Sequence, residues 1–195
     1  MNLIKVKNYS EMTKIAANII AVEISKKPNL TIGFATGKTQ LGLYKELAKF
    51  YKNKKVYFSK IKAFSLDEYY PIKKKDKNSY NYYLFKNIFN KINIKKSNIT
   101  LLNSEAKNPQ KECVDYEKKI IKGKIDIQIL GIGANGHIAF NEPGSSFNSK
   151  TRIAELSKET WKHNSKNKQI PKNALTIGIK TIMASKKILL LASGK

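Results

Sequence analysis

Apolar positions recur along this chain in two alternating rhythms. Short apolar runs of strand length are separated by stretches whose apolar residues fall three or four apart, which lines one face of a helix. Leu3–Val6, Leu30–Ala35, Ile61–Leu66, Ile99–Leu102, Ile125–Leu130, Arg152–Leu156, Ala174–Ile179 and Ile188–Ala192 read as strands. Ser10 reads as the cap of a first helix, with Met12, Ile15, Ala16, Ile19 and Ile20 inward. Leu41 to Tyr51 reads as a second, burying Tyr44, Leu47, Ala48 and Tyr51. Ser79 to Ile92 is helical and aromatic-rich, and Pro109 opens a helix with Cys113, Tyr116 and Ile120 on one face. Strand–helix alternation predicts an α/β fold with a mainly parallel sheet. Ligands of such sheets bind beyond the carboxyl ends of the strands. Three polar loops lie there: after Ala35, after Leu66 and after Leu130.

Composition narrows the class. At 195 residues and 41% hydrophobic, the chain can bury a core without staples and is not wholly disordered. No apolar run approaches the ~18–20 residues of a membrane helix, and Met1 leads into no signal-peptide pattern. One cysteine, Cys113, excludes an intrachain disulfide and fits a reducing compartment. A soluble cytoplasmic protein is expected. The net charge of +24 is carried by 37 Lys and a single Arg, Arg152. A surface built to grip phosphates or read bases favours Arg, whose planar fork binds them bidentately. Lys, Asn and Ile together make up 81 residues, which suggests a bias toward A/T-rich codons. The lysines are spread out, Lys73-Lys74-Lys75 being the only dense run. They read as solvated surface, not as a specific nucleic-acid or membrane face.

Two glycine motifs mislead. Gly33 to Thr39 ends in Gly-Lys-Thr, but three residues separate its glycines where a nucleotide-binding P-loop has four. The turn still suits one phosphate group, through small residues and Thr hydroxyls at a helix start. Gly131-Ile132-Gly133-Ala134-Asn135-Gly136 matches a dinucleotide-binding pattern, yet Pro143 follows closely and leaves little room for the helix that pattern requires. It reads instead as a tight loop that lets polar side chains reach a pocket. Asn135, His137 and Glu142 fall together there, and a carboxylate beside an imidazole can fix its tautomer and suit it to proton shuttling. His163 has no such company and reads as a surface residue. Asp67, one of only four Asp, ends a strand and is the candidate general base. No cluster of metal-ligand type is evident. These residues point to proton transfer on a phosphorylated small molecule.

The string Leu66-Asp67-Glu68-Tyr69, then Ser79-Tyr80, then Gly131 to Pro143 through Gly-His-Ile-Ala-Phe-Asn-Glu-Pro, resembles the glucosamine-6-phosphate deaminase family. Ser145 to Arg152 and Pro171 to Gly178 extend the likeness in order along essentially the whole chain. The resemblance implies a single Rossmann-like, doubly wound domain over residues 1–195, with helices on both faces of the sheet. It implies a hydrolytic, isomerising deaminase of amino-sugar catabolism, converting glucosamine 6-phosphate and water to fructose 6-phosphate and ammonia with no metal or organic cofactor. Asp67 would move the proton between C2 and C1 of the opened sugar. His137, helped by Asn135 and Glu142, would promote ring opening. Thr36, Gly37, Lys38 and Thr39 would meet the phosphate, and Lys166 falls near the family's phosphate-binding Arg. Asn135 stands where many members carry Asp, Lys38 replaces a small residue, and Gln40 replaces Pro. The resemblance also implies missing carboxyl-terminal elements, hence a truncated and marginally stable member, and leaves homo-oligomerisation open. Three alternatives remain: a 6-phosphogluconolactonase-like hydrolase or another isomerase on the same fold, an inactive fragment, or a basic nucleic-acid-binding protein.

Overall fold

A computed structural model describes residues 2–166 and 169–194; Asn167 and Lys168, within the Lys-rich stretch, and Lys195 lie outside it. The first strand, β1 (Thr31–Phe34), is buried throughout and pairs in parallel with β2 (Lys62–Ser65) on one side and β5 (Ile127–Gly131) on the other. The two-residue β4 (Ile99–Thr100) adds beyond β2, and β8 (Lys187–Leu191) adds beyond β5. The sheet order is therefore β4-β2-β1-β5-β8, all parallel. Connections run outward from β1 in one direction, then return and run outward in the other. The reversal places a crevice beyond the carboxyl ends of β1 and β5, the switch point where open α/β sheets take their ligands.

Helices α1 (Tyr9–Lys26), α2 (Gln40–Lys52), α3 (Tyr80–Asn87), α4 (Pro109–Gly123), α5 (Lys158–Asn164) and α6 (Ile179–Met183) surround the strands. The expected α4 is present, capped by the Asn108 side chain on Lys111 N–H and burying Cys113, Tyr116 and Ile120. Tyr116 passes its hydroxyl between Ser65 of β2 and the Thr100 carbonyl of β4, tying these strands together. The first helix starts earlier than expected. Asn8, not Ser10, is its cap, because the Asn8 side chain already accepts the Glu11 N–H at 2.9 Å. Residues Leu3–Val6 form no strand: an alternating pattern needs a neighbouring strand, and none pairs with it among the described residues. The short α5 and α6 were absent from the sequence reading.

The larger departure is a second sheet. Asp67 and Glu68 do not close a strand as a loop; after Leu66 the chain turns into β3 (Asp67–Tyr70). That strand pairs antiparallel with β7 (Asn173–Thr176), which pairs antiparallel with β6 (Arg152–Glu155). A small apolar core of Tyr69, Ile72, Phe140, Leu156, Ile170 and Ala174 lies with this sheet, apart from the main core. At the amino-terminal end of β5, buried Asp126 takes Lys27 Nζ at 2.6 Å, Lys186 Nζ at 2.9 Å and the Thr31 N–H at 2.8 Å. Burial alone would raise its pKa, but the two lysines and the amide outweigh that and hold it at about 2. Its stabilising contribution is therefore present above the ordinary carboxylate range and is lost as pH falls through about 2. This clamp fixes the closed end of the sheet; the chemistry gathers at the other.

Candidate active site

Two loops meet at the switch point. The first, Thr36 to Thr39, follows β1 and leads into α2. Its carbonyls are held from outside: the Tyr83 hydroxyl donates to the Gly37 carbonyl at 2.6 Å, and the Tyr9 hydroxyl lies 3.1 Å from those of Lys38 and Thr39. Among the described residues the N–H groups of Gly37, Lys38 and Thr39 take no protein acceptor. Gly37 has φ +126°, which a residue with a Cβ adopts only under strain. Carbonyls tied back and amides left over make an anion cradle. Gln40, 1% exposed, joins this loop to the second one: its amide donates to the Thr36 carbonyl at 3.1 Å and accepts the Gly131 N–H at 3.2 Å. That is the use found for the Gln standing in place of Pro.

The second loop continues from β5 as a turn, not as the helix of a dinucleotide site. Within it the Asn135 amide donates to Glu142 Oε2 at 2.8 Å, so its Oδ1 faces His137, 2.6 Å from Nδ1. An amide oxygen only accepts, so Nδ1 must carry the proton. In the neutral ring Nε2 is then the free base. Glu142 Oε2 lies 3.9 Å from Nδ1. Burial lowers the pKa of His137 and nearby His163 lowers it further, against the opposing pull of Glu142 and Glu159. At neutral pH the ring is therefore mainly uncharged. Burial would raise Glu142, yet hydrogen bonds from Thr160, Asn135 and Ser157 outweigh it and keep the carboxyl below its usual range.

Asp67 sits at the start of β3, 6% exposed, and its Oδ1 takes no hydrogen bond among the described residues. Burial raises its pKa well above the usual carboxylate value, and Glu68 beside it adds to the rise. Glu68 itself faces the other way. It accepts the N–H groups of Tyr69, Tyr80 and Asn81, anchoring the first turn of α3, and burial pushes it up to about 7 against that pull. Tyr80, held there, donates to the Tyr69 hydroxyl at 3.1 Å and stacks on Phe140 of the His137 loop, centroids 5.9 Å apart. Thr176, directly opposite Asp67 in the β3–β7 ladder, accepts the Phe140 N–H at 3.1 Å. Asn141 donates to the Ile177 carbonyl at 2.9 Å and accepts from Arg152 at 2.7 Å. The base and the imidazole loop are thus fixed to the same strand.

Asn135, His137 and Glu142 come together as expected, Asp67 is held beside their loop, and the 36–39 turn lies at the same crevice. Lys166 is the one expected site residue not drawn in. It lies exposed in the turn after α5, with no hydrogen bond to the 36–39 loop among the described residues. The sequence reading overlooked Gln40, Glu68, Thr160 and Thr176. Only the substitution at position 40 and the carboxylate next to Asp67 could have flagged any of them. Among the described residues no three His, Cys, Asp or Glu side chains gather as metal ligands, and no helix is long and apolar enough to cross a membrane.

Residues 7–195 match the model of a family described as glucosamine-6-phosphate isomerases/6-phosphogluconolactonase. A glucosamine-6-phosphate deaminase of Clostridium botulinum (strain Langeland) is 49% identical over all of this chain and 82% of its own. That of Clostridium novyi (strain NT) is 48% identical over all of this chain and 83% of its own. Among solved structures, a monomeric glucosamine-6-phosphate deaminase superimposes with a TM-score of 0.95 at 40% identity, over 97% of this chain and 81% of the other. A 6-phosphogluconolactonase of Thermotoga maritima shares the fold, with a TM-score of 0.77 at 19% identity over all of this chain and 84% of its own.

Proposed function

The chain belongs to the glucosamine-6-phosphate isomerase/6-phosphogluconolactonase family, and on that premise we propose that its crevice converts glucosamine 6-phosphate and water to fructose 6-phosphate and ammonia. The observation that carries this reading is Asp67 Oδ1, a buried carboxylate oxygen with no protein partner among the described residues and a raised pKa. Lactone hydrolysis has no step that removes a proton from carbon; isomerising an amino sugar does. The expected label of hydrolase gives way to deaminating isomerase, in keeping with the family's description. The reading places the chain as one cytoplasmic domain in amino-sugar metabolism, with its lysines as solvated surface.

The 36–39 turn and its unpaired amides hold the phosphate, with Lys38 beside it. His137 takes the anomeric hydroxyl proton at Nε2 and returns a proton to the ring oxygen, opening the pyranose. Asn135 keeps the other ring proton on Nδ1, and the Glu142 charge steadies the imidazolium formed in passing. Asp67 then takes the C2 proton and delivers it to C1. The ammonium of the bound sugar favours the charged carboxylate, opposing the burial that raises its pKa. The resulting enolamine isomerises to an imine, and water hydrolyses that to ketone and ammonia.

The assay is direct. Ammonia should appear with glucosamine 6-phosphate, and 6-phosphogluconolactone should not be opened above its spontaneous rate; the reverse result would move the chain to the lactonase side of the family. His137→Gln and Glu142→Gln should each slow the closed sugar far more than a 2-amino aldose phosphate too short to form a ring. Since His137 must be neutral to accept the anomeric proton, kcat/KM of the unchanged protein falls on the acid side through its pKa, and His137→Gln should lose that limb. Equal slowing of both substrates would remove the ring-opening role.

A further inference from the structure

We infer that Thr160 is a positioning residue of this site: its buried hydroxyl, carried on α5, holds the Glu142 carboxylate and the Asn135 amide in the arrangement that keeps the His137 proton on Nδ1. The hydroxyl is buried at 3% exposure, and three polar groups converge on it. Thr160 Oγ1 lies 3.4 Å from His137 Nδ1 and 3.5 Å from Asn135 Nδ2, and it also bonds Glu142. A hydroxyl offers one proton and two lone pairs. Asn135 Nδ2 and His137 Nδ1 both present N–H toward it, so they can meet only its lone pairs. The proton is left for the carboxylate.

The rest of α5 is built on the same carboxylate. Ser157 donates its backbone N–H to Glu142 Oε1 at 3.2 Å and caps the helix by accepting the Thr160 N–H at 3.0 Å. Two neighbouring charges felt by His137, those of Glu159 and His163, belong to α5 as well. Seating α5 therefore sets the partners of Glu142, then the orientation of Asn135, then the tautomer of His137. A Thr placed only to fill space would need none of these contacts.

Thr160→Val keeps the shape and removes the hydroxyl; Thr160→Ser restores it. The first measurement is the NMR titration of His137 in the substrate-free protein, which needs no activity. Val takes a donor from Glu142, so its charge leans more on the imidazolium, and the His137 midpoint should move up in pH. Glu142 and Glu159 favour the charged ring and His163 opposes it; all three are unchanged in the variant. Ser should return the midpoint to that of the unchanged protein. The kinetic part rests on the ring-opening reading: Val should slow the closed sugar about ten- to a hundredfold, the factor carried by a hydrogen bond to a charged group. It should leave the non-cyclising substrate within about threefold, and Ser should recover the rest. A midpoint that shifts in Val and returns in Ser supports the positioning role even if the protein released no ammonia, which would overturn the functional reading alone. An unmoved midpoint in Val, or a Ser variant that behaves like Val, overturns the role of Thr160.

Discussion

Asp67→Asn is expected to lower ammonia release from glucosamine 6-phosphate by about a hundred- to ten-thousandfold, the range general-base catalysis commonly supplies. Substrate affinity should stay within about threefold, because no binding contact common to ground and transition states is removed. The amide keeps the volume of a side chain that is 6% exposed, so the fold should tolerate it. What it lacks is a lone pair basic enough to take a proton from carbon at neutral pH. The unpaired Oδ1 makes the substitution clean, since no hydrogen bond at that oxygen is broken among the described residues. The decisive second readout is exchange of the C1 and C2 protons with deuterated solvent, which should vanish with turnover. The unchanged protein should itself lose activity as pH falls, since a base with a raised pKa is protonated earlier than an ordinary carboxylate. Turnover or exchange within threefold of the unchanged protein would falsify the assignment of Asp67 as the base.

Much of this site was legible because its groups are close along the chain. Asn135, His137 and Glu142 belong to one loop after one strand, and helix α4 was written in adjacent residues, from the Asn108 cap to the face of Cys113, Tyr116 and Ile120. The strand β3 was not legible. Asp67 to Tyr70 reads as a polar strand end followed by aromatics, and becomes a strand only because Asn173–Thr176 arrives from far along the chain to pair with it. Leu3–Val6 fails for the opposite reason, having the pattern without the partner. Thr160 and Thr176 escaped notice because a lone Thr carries no signal until the fold delivers it to a histidine or to a backbone amide. The glycine motif was visible and its nucleotide meaning correctly discounted, yet the separate purpose of each glycine required coordinates.

Gly133 shows that purpose, and its replacement by Ala should be as damaging as the loss of His137 itself. A Cβ at this position would lie 2.2 Å from His137 Cε1, 2.4 Å from Nδ1 and 2.5 Å from Nε2. No side-chain carbon survives at such distances, so either the backbone or the ring must leave. The backbone is pinned: Gly133 N–H donates to the His137 carbonyl at 2.9 Å, and the Gly133 carbonyl accepts the Gly136 N–H at 2.9 Å. The ring is only partly buried and can swing toward water. Gly133→Ala should thus keep its fold and lose about a hundredfold or more in kcat on the closed sugar, as expected when a general acid–base group is withdrawn. Gly136→Ala is the contrast. It has φ +88° and nothing within 4 Å of a built Cβ, so it should cost only the roughly 1–2 kcal/mol of left-handed backbone strain, read as stability. The strict test is the double variant. If Gly133 acts only by making room for the imidazole, Gly133→Ala combined with His137→Gln should be no slower than His137→Gln alone, since the two changes remove one function. Multiplicative losses in the double variant would mean that Gly133 shapes the crevice independently of His137, and the packing argument would have to be abandoned.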